Sequence, residues 1–471
     1  MNANTPKLNT PELHVVVLAA GKGSRMHSTL PKVLHRVADK PLLAHVLDAA
    51  AGLMPTKAHI IIGHGKDQVK ETFANYASST KLEINWVEQA EQLGTGDAVK
   101  SALPFIPDNA NVLMLTADVP LISTETLLSL SQAMASFSLT VLTAIVSDPT
   151  GLGRIIRDQE NNMVGIIEQK DATPQQLAIN EINSGIMCAR SQHLKKWLMA
   201  LNNDNAQQEY YLTDIVGLAT AAGHLISAQS VKNSSEVEGI NSRVQLAKVE
   251  RVYQSQQIEK LMESGVTVID PARLDLRGDV KVGTDTIIDI NCVIAGTTEI
   301  GNNVQIGVNC IITNSKIADN SVIHANTIIE SAQLGEAVNV GPFARLRPGT
   351  ELANEVKIGN FVETKNAKLA AGAKANHLSY VGDSSVGENT NIGAGVITCN
   401  YDGANKHQTT IGSNVFVGSD SQLIAPVVIE DGATIAAGST ITNKVGHDQL
   451  ALSRSRQRQI DNWQRPTKDK P

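Results

Sequence analysis

Aromatic residues are scarce. Phe, Tyr and Trp make up 3% of the 471 residues, so at least one core must be built from aliphatic and small side chains. Cysteine is also rare: Cys188, Cys292, Cys310 and Cys399 are widely separated and include no CxxC pair, which supports neither a disulfide framework nor a zinc site. No uninterrupted apolar run approaches the ~18–20 residues of a membrane span, and the polar stretch Met1–Glu12 holds no apolar signal core. The chain therefore reads as a cytoplasmic protein with reduced thiols and no transmembrane segment. Positive charge is not in excess either. With 40 Lys+Arg against 47 Asp+Glu the net charge is −7, which leaves no electrostatic footprint for nucleic acid. An ordinary 42% hydrophobic and 18% charged content excludes disorder throughout, and the length suits about two to four domains.

The strongest pattern is internal periodicity. From Val282 onward an aliphatic residue followed by glycine recurs, as in Val282-Gly283, Ile300-Gly301, Ile306-Gly307, Leu334-Gly335, Val340-Gly341, Ile358-Gly359 and Ile392-Gly393. Where glycine is missing the aliphatic step persists: Ile411, Val417, Leu423, Ile429, Ile435 and Ile441 stand six apart. Six is not a helical period, and strand alternation alone requires no small residue at one phase. A hexad with one aliphatic residue fits one flat face of a coil that turns a corner every six residues. The aliphatic side chain points inward, and Gly, Asn or Asp accommodates the corner. Asn400–His407 breaks the hexad and is expected to project as a loop, where functional groups commonly sit. Arg345–Tyr380 carries polar residues that a purely structural coil would not need.

The first half alternates differently. Val15–Leu18, His59–Gly63, Ile84–Val87, Val112–Thr116 and Leu139–Val146 read as strands, with helices around Leu42–Leu53, Thr95–Leu103 and Thr124–Ser136. This alternation implies a parallel, doubly wound α/β sheet that binds ligands at the carboxyl ends of its strands. Ser242–Ser264 has few breakers and reads as a linker helix. The boundaries that follow are 1–241, 242–264, 265–453 and a charged tail, 454–471. The loop Ala19-Ala20-Gly21-Lys22-Gly23-Ser24-Arg25-Met26 is neither a P-loop nor a dinucleotide fingerprint, because GxxxxGK[ST] is absent and Met26 stands where GxGxxG has its third glycine. Two readings stay open from the residues alone: a phosphate-cradling loop, with Lys22, Arg25 and Lys32 supplying charge, or an ordinary strand–helix turn.

The run from Leu18 to Met26 followed by Pro31-Lys32 resembles the signature of sugar-nucleotide pyrophosphorylases, and the hexads resemble the left-handed parallel β-helix of the hexapeptide acyltransferases. Gln89–Gly96, Asp118-Val119-Pro120, Gly151–Ile155, Glu168, Asn183-Ser184-Gly185, Glu238–Asn241, Gly341–Gly349, His377–Tyr380 and Asn400–Gly403 all resemble one family. It is that of the bacterial bifunctional N-acetylglucosamine-1-phosphate uridylyltransferases/glucosamine-1-phosphate N-acetyltransferases. The resemblance covers nearly the whole chain. It implies a Rossmann-like nucleotidyltransferase domain followed by the left-handed β-helix, and synthesis of UDP-N-acetylglucosamine for peptidoglycan and lipopolysaccharide.

For the first domain the resemblance implies attack of N-acetylglucosamine 1-phosphate on the α-phosphate of UTP. Arg25 and Lys32 would neutralise phosphate charge, and Asp118 and Asn241 would hold Mg²⁺, an oxygen-only set suited to a hard cation. Leu18, Ala19, Ala20, Gly21, Thr116 and Ala117 would line the nucleotide site. Gln89, Gly94 and Thr95 would select uracil, and Gly153, Glu168 and Asn183 would hold the sugar. Thr116-Ala117 stands where many members have an aromatic residue and glycine. For the second domain it implies His377 as general base in acetyl transfer from acetyl-CoA to glucosamine 1-phosphate. Arg347 and Lys365 would pair with the phosphate, Tyr380 and Asn391 with the sugar, and Ala394, Asn400, Tyr401, Ser419, Ala437 and Arg454 with acetyl-CoA. Such β-helices pack as homotrimers, so sites are expected to combine subunits. Two rivals remain: a single-function nucleotidyltransferase with a merely trimerising β-helix, and a non-catalytic scaffold.

Overall fold

The structure is a computed structural model and describes residues 11–76, 80 and 82–468. The polar N-terminal stretch up to Thr10 and the end of the tail beyond Lys468 lie outside the described residues. The chain forms two compact units, Met1–Tyr253 and Gln254–Pro471. Their division falls inside one helix, Arg243–Glu263. Leu246, Val249 and Val252 of its first half pack with Met26, Val37 and Leu42 of the first unit. Ile258 and Leu261 of its second half pack with Val266 and Val268 of the second unit.

The first unit is built on β1 (Glu12–Leu18), β2 (Lys57–Ile62), β3 (Ile84–Glu88), β4 (Ala110–Thr116), β5 (Leu139–Ile145), β6 (Arg154–Arg157), β7 (Met163–Ile167), β8 (Glu181–Arg190) and β9 (Ile226–Ser230). The sheet order is β9-β5-β8-β4-β1-β2-β3, with β6 pairing β8 and β7 pairing β6. Val15 and Val17 face one apolar cluster and Val16 the other, the two-sided burial that requires continuous aliphatic strands. The all-parallel sheet expected from the sequence needs one correction: β8 runs antiparallel to both β4 and β5. The reason lies in the connection. Between β5 and β8 the chain makes the β6–β7 hairpin and one short helix, Pro174–Leu177, with no long crossover helix to carry it back to the starting edge. As a result, β8 begins at the edge where β1 and β4 end, and Asn183 enters there.

The second unit is a three-faced coil. One face is the ladder through Ile288, Ile306, Ile323, Val340, Ile358, Ala375, Ile392, Val417 and Ile435. Two further ladders join in a fifteen-stranded sheet through strands such as Cys292–Ile300 that run around an edge. The strands of all three faces pair in parallel, and a coil closes after three hexads or one residue fewer, so that Ile288 stacks on Ile306 and Ile306 on Ile323. The aliphatic residues of the hexads are buried apart from half-buried Val282, Ile411 through Ile441 without exception. Buried Thr286, Thr298, Ser315 and Ser321 fill the narrow interior and give their hydroxyls to backbone carbonyls.

The expected role of glycine divides in two. Asn291, Asn309 and Asn326 take the left-handed corner, with φ of 59°, 59° and 60°, and their amides form a hydrogen-bonded ladder at 3.0 Å. The glycine after the aliphatic residue serves another need. A Cβ on Gly283 would lie 2.6 Å from the Gly301 carbonyl carbon of the next coil, so stacking of coils, not backbone freedom, selects it there. At the insertion the step lengthens, Ile392 stacking on Val417, and Asn400–His407 leaves the coil. No helix among the described residues is long and apolar enough to cross a membrane.

Candidate active sites

In the first unit the chain leaves β1 through Ala19–Gly23, turns at Ser24–Met26 and reaches a second turn, Lys32–Leu34. Gly23 has φ +62°, and a Cβ on it would meet the Cβ of Lys32 at 2.6 Å, so only glycine brings the loop this close. Buried Val33 and Leu34 anchor the second turn and aim Lys32 inward. Its Nζ donates to Asp118 Oδ2 and, at 2.7 Å, to Asn241 Oδ1. Asp118 follows β4, and the N–H of Ile240 bonds its carbonyl at 2.9 Å, which brings Asn241 alongside. Residues far apart in the chain thus focus two oxygens on one cation.

A cavity of about 320 Å³ opens at this edge, lined by Leu18, Ala19, Ala20, Gly21, Lys32, Gln89, Gly94, Thr95, Thr116, Ala117 and Asp118, as expected of the carboxyl edge. Buried Gln89 gives its Nε2 to Asp97 Oδ2 at 2.8 Å and to the Gly94 carbonyl at 3.3 Å. The Thr95 hydroxyl accepts the N–H of Leu212 at 3.0 Å. Gln92 and Glu209 also line the cavity, neither of them a candidate on sequence grounds, and Gln92 Nε2 holds the Ala20 carbonyl at 2.6 Å. Arg25 stays exposed on its turn. Gly153, Glu168 and Asn183 do not line the cavity but are tied to each other: the N–H of Asn183 bonds the Gly153 carbonyl at 2.9 Å, and a Cβ on Gly153 would sit 3.3 Å from Glu168 Oε1. Burial raises the Glu168 carboxyl above the usual range, against the hydroxyl of Thr213 at 3.2 Å.

In the second unit one edge of the coil carries a column that sequence spacing hides. Asn360 pairs His377 in register. Backbone bonds then step upward from Gly395 N to His377 O, Asp420 N to Ala394 O and Gly438 N to Ser419 O, and Arg454 reaches the Ala437 carbonyl at 2.9 Å. His377, Ala394, Ser419, Ala437 and Arg454 therefore stand one above another. His377 is exposed, and its Nδ1 donates to Asn360 Oδ1 at 2.8 Å, which leaves Nε2 as the acceptor.

On the adjoining face Arg347 pairs with Glu363 at 2.8 Å. Lys406, delivered by the insertion, lies against Lys365 and pushes its ammonium below the usual range. Tyr380 folds over Gly382, whose missing side chain makes the room. Buried Asp383 accepts from Asn366 at 2.7 Å and from Asn400, which also reaches the Tyr380 hydroxyl at 3.4 Å. In the insertion, Asp402 accepts the N–H groups of Asn405 and Ala404 and pairs with His407 at 2.7 Å, which together hold its carboxyl well below the usual range. Exposed Tyr401 turns its hydroxyl to the Gly403 carbonyl. Asn391 is the outlier. It belongs to the other sheet, on a different face from Arg347, Lys365 and Tyr380.

The MobA-like NTP transferase domain matches residues 15–155, the GMPPB C-terminal domain residues 276–362, and the bacterial transferase hexapeptide (six repeats) residues 408–443. Bifunctional protein GlmU of Marinobacter nauticus is 53% identical over 456 residues, 97% of this chain and 99% of that protein. The chain belongs to the GlmU family. A nucleotidyltransferase half with a mixed α/β sheet precedes a hexapeptide half consistent with a left-handed β-helix.

Proposed function

We propose that this GlmU-family enzyme first acetylates glucosamine 1-phosphate with acetyl-CoA in its β-helix and then transfers uridylyl from UTP to the product in its α/β unit. The product, UDP-N-acetylglucosamine, would supply cell-wall and lipid A synthesis in the cytoplasm. The observation that carries the reading is that each half holds its own polar constellation at a place its fold leaves open. One is Lys32–Asp118–Asn241 at the carboxyl edge, and the other is the Asn360–His377 pair on the coil edge.

In acetyl transfer, His377 Nε2 removes the amine proton as nitrogen attacks the thioester carbonyl, and the thiolate leaves. Arg347, Lys365 and Lys406 hold the sugar phosphate, while Tyr380 and Asn391 orient the ring. Ala394, Ser419 and Ala437 keep the edge above His377 low, so an extended thioester carrier lies along it. Four coil steps at ~4.8 Å each take it about 19 Å upward to Arg454, where its phosphates meet a cation. Asn400 and Tyr401 flank this path. Because Asn391 and Tyr380 lie on different faces, a complete site draws on a neighbouring copy. Phe343, Phe361 and Leu378, 50%, 56% and 62% exposed at left-handed corners, supply an apolar edge for such a homotrimer.

In uridylyl transfer, the sugar phosphate oxygen attacks the α-phosphorus and pyrophosphate leaves. Lys32 and Arg25 balance the charge on the phosphates, and the Gly21 loop offers backbone N–H groups. Gln89, its amide nitrogen engaged by Asp97, presents Oε1 to a base N–H. Asp118 and Asn241 fit Mg²⁺, because they already converge on the Lys32 ammonium through oxygen alone, and two protein oxygens suffice when phosphates complete the shell. When bound, the ion would neutralise and align the triphosphate. Gly153, Glu168 and Asn183 hold the acetylated sugar. A merely trimerising β-helix would leave the His377–Asn360 pair and the Arg347–Lys365–Lys406 cluster without a role. Incubation of the purified protein with glucosamine 1-phosphate, acetyl-CoA, UTP and Mg²⁺, followed by mass spectrometry, tests the reading. Both N-acetylglucosamine 1-phosphate and UDP-N-acetylglucosamine form; production of neither identifies a scaffold, and UDP-sugar formation only from supplied N-acetylglucosamine 1-phosphate identifies the single-function enzyme.

A further inference from the structure

Arg154 heads the largest fully enclosed side chains of the protein, at 2% exposure. A guanidinium stays charged at physiological pH, so enclosing it is costly unless acceptors surround it. An aliphatic residue would fill the same volume without that cost, and a purely packing role does not explain the choice. The acceptors are informative. Nη1 donates to the Leu152 carbonyl, and Nη2 donates to Gln169 Oε1 at 2.8 Å. The same Gln169 oxygen accepts the N–H of Gly151 at 3.0 Å. The Gly151–Gln169 bond joins the 151–153 turn directly to the segment after β7, and Arg154, at the start of β6, bridges the same two by holding Leu152 with one nitrogen and Gln169 with the other. The turn carries Gly153 and the segment carries Glu168, while Asn183 hangs on the Gly153 carbonyl through its own N–H. Arg154 itself lines no part of the 320 Å³ cavity.

We propose that Arg154 is a positioning residue for the acceptor sugar, fixing the spacing of Gly153, Glu168 and Asn183 from behind by tying the 151–153 turn to the Glu168–Gln169 segment. The inference rests on the reading that these three residues hold N-acetylglucosamine 1-phosphate. It carries an electrostatic corollary. Burial raises the Glu168 carboxyl, the Thr213 hydroxyl lowers it, Asp214 and Asp171 raise it further, and the Arg154 guanidinium lowers it. Without the guanidinium, Glu168 takes up its proton at higher pH.

The test compares Arg154→Met, Arg154→Lys and Gln169→Leu in uridylyl transfer, varying each substrate separately, with the thermal melting profile of each sample as the reference for intact protein. Arg154→Met is expected to raise KM for N-acetylglucosamine 1-phosphate about tenfold or more, since small misplacements of a substrate-holding group are costly. KM for UTP is expected to stay within about twofold, the acid limb of the pH profile to move upward, and Arg154→Lys to restore part of the loss. Gln169→Leu, which keeps the buried charge but removes the shared acceptor, reproduces the selective KM rise even if Arg154→Met does not fold. Folded variants whose two KM values rise together, or do not rise, overturn the role of Arg154. Wild-type protein that forms no UDP-sugar overturns the underlying reading instead.

Discussion

Replacing Asn360 with alanine removes one hydrogen bond, the 2.8 Å contact that holds Nδ1 of His377, and leaves the proposed base in place. A neutral hydrogen bond contributes about 0.5–1.5 kcal/mol net. If that bond does no more than favour the tautomer and rotamer with Nε2 free, its loss lowers the productive fraction roughly 2- to 12-fold, at about 1.4 kcal/mol per tenfold. Deleting the base is a larger perturbation, on the order of 10²–10⁴-fold. Asn360→Ala should therefore fall between wild type and His377→Ala. The assay is release of the CoA thiol from acetyl-CoA with glucosamine 1-phosphate saturating, read as kcat across pH, with UDP-sugar formation measured on the same preparation. An Asn360→Ala enzyme as fast as wild type would show that this contact orients nothing. One as slow as His377→Ala, with a normal melting profile, would make Asn360 a reacting group and not a support.

Other outcomes follow from the same geometry. Gly283→Ala places a methyl group 2.6 Å from the backbone of the next coil and should destabilise the β-helix by about 1–3 kcal/mol, read as a lower urea midpoint; an unchanged midpoint would show that the coils have slack. His45 and His59 are held neutral, mainly by burial, with pKa values lowered to about 4. The unfolded chain protonates near 6.5, so the α/β unit should lose stability as pH falls from about 6.5 toward 4, by about 2 kcal/mol per histidine at pH 5. His45→Gln should flatten that slope, and an equally steep slope in the variant would clear His45 of any part in it. Lys406→Ala should raise KM for glucosamine 1-phosphate more than KM for acetyl-CoA, and an effect confined to acetyl-CoA would move Lys406 to the other ligand.

Much of the coil was legible because its constraint is local. One aliphatic residue every six, from Leu334 to Ile358 and again from Ile411 to Ile441, is a one-dimensional signal, and each of those side chains is buried. The insertion was legible for the same reason, as a break in that rhythm. What depends on stacking was not. His377, Ala394, Ser419, Ala437 and Arg454 stand in one column, yet the insertion lengthens the step between Ala394 and Ser419, so no single period links them, and Asn360 joins only through register. The corner chemistry was half visible: asparagine in the left-handed corners and glycine in the tight coil contacts look alike as small or turn-forming residues. In the α/β unit the direction of β8 depends on how the chain returns after β5, which no local pattern encodes. Lys32, Asp118 and Asn241 meet only because β4 and the start of the Arg243–Glu263 helix converge. In the sequence Arg154 is only one residue of the Gly151–Ile155 stretch that carries the family resemblance, and its enclosure emerges only once β6, β7 and β8 pair.

Two single-site variants, measured on the same substrate mixture, address the claim of two independent chemistries on one chain most directly. With glucosamine 1-phosphate, acetyl-CoA, UTP and Mg²⁺ supplied, Asp118→Ala should accumulate N-acetylglucosamine 1-phosphate and stop there. His377→Ala should leave glucosamine 1-phosphate unacetylated, yet make UDP-N-acetylglucosamine at the wild-type rate once N-acetylglucosamine 1-phosphate is added. Loss of both reactions in either folded variant, or of neither, would contradict the account.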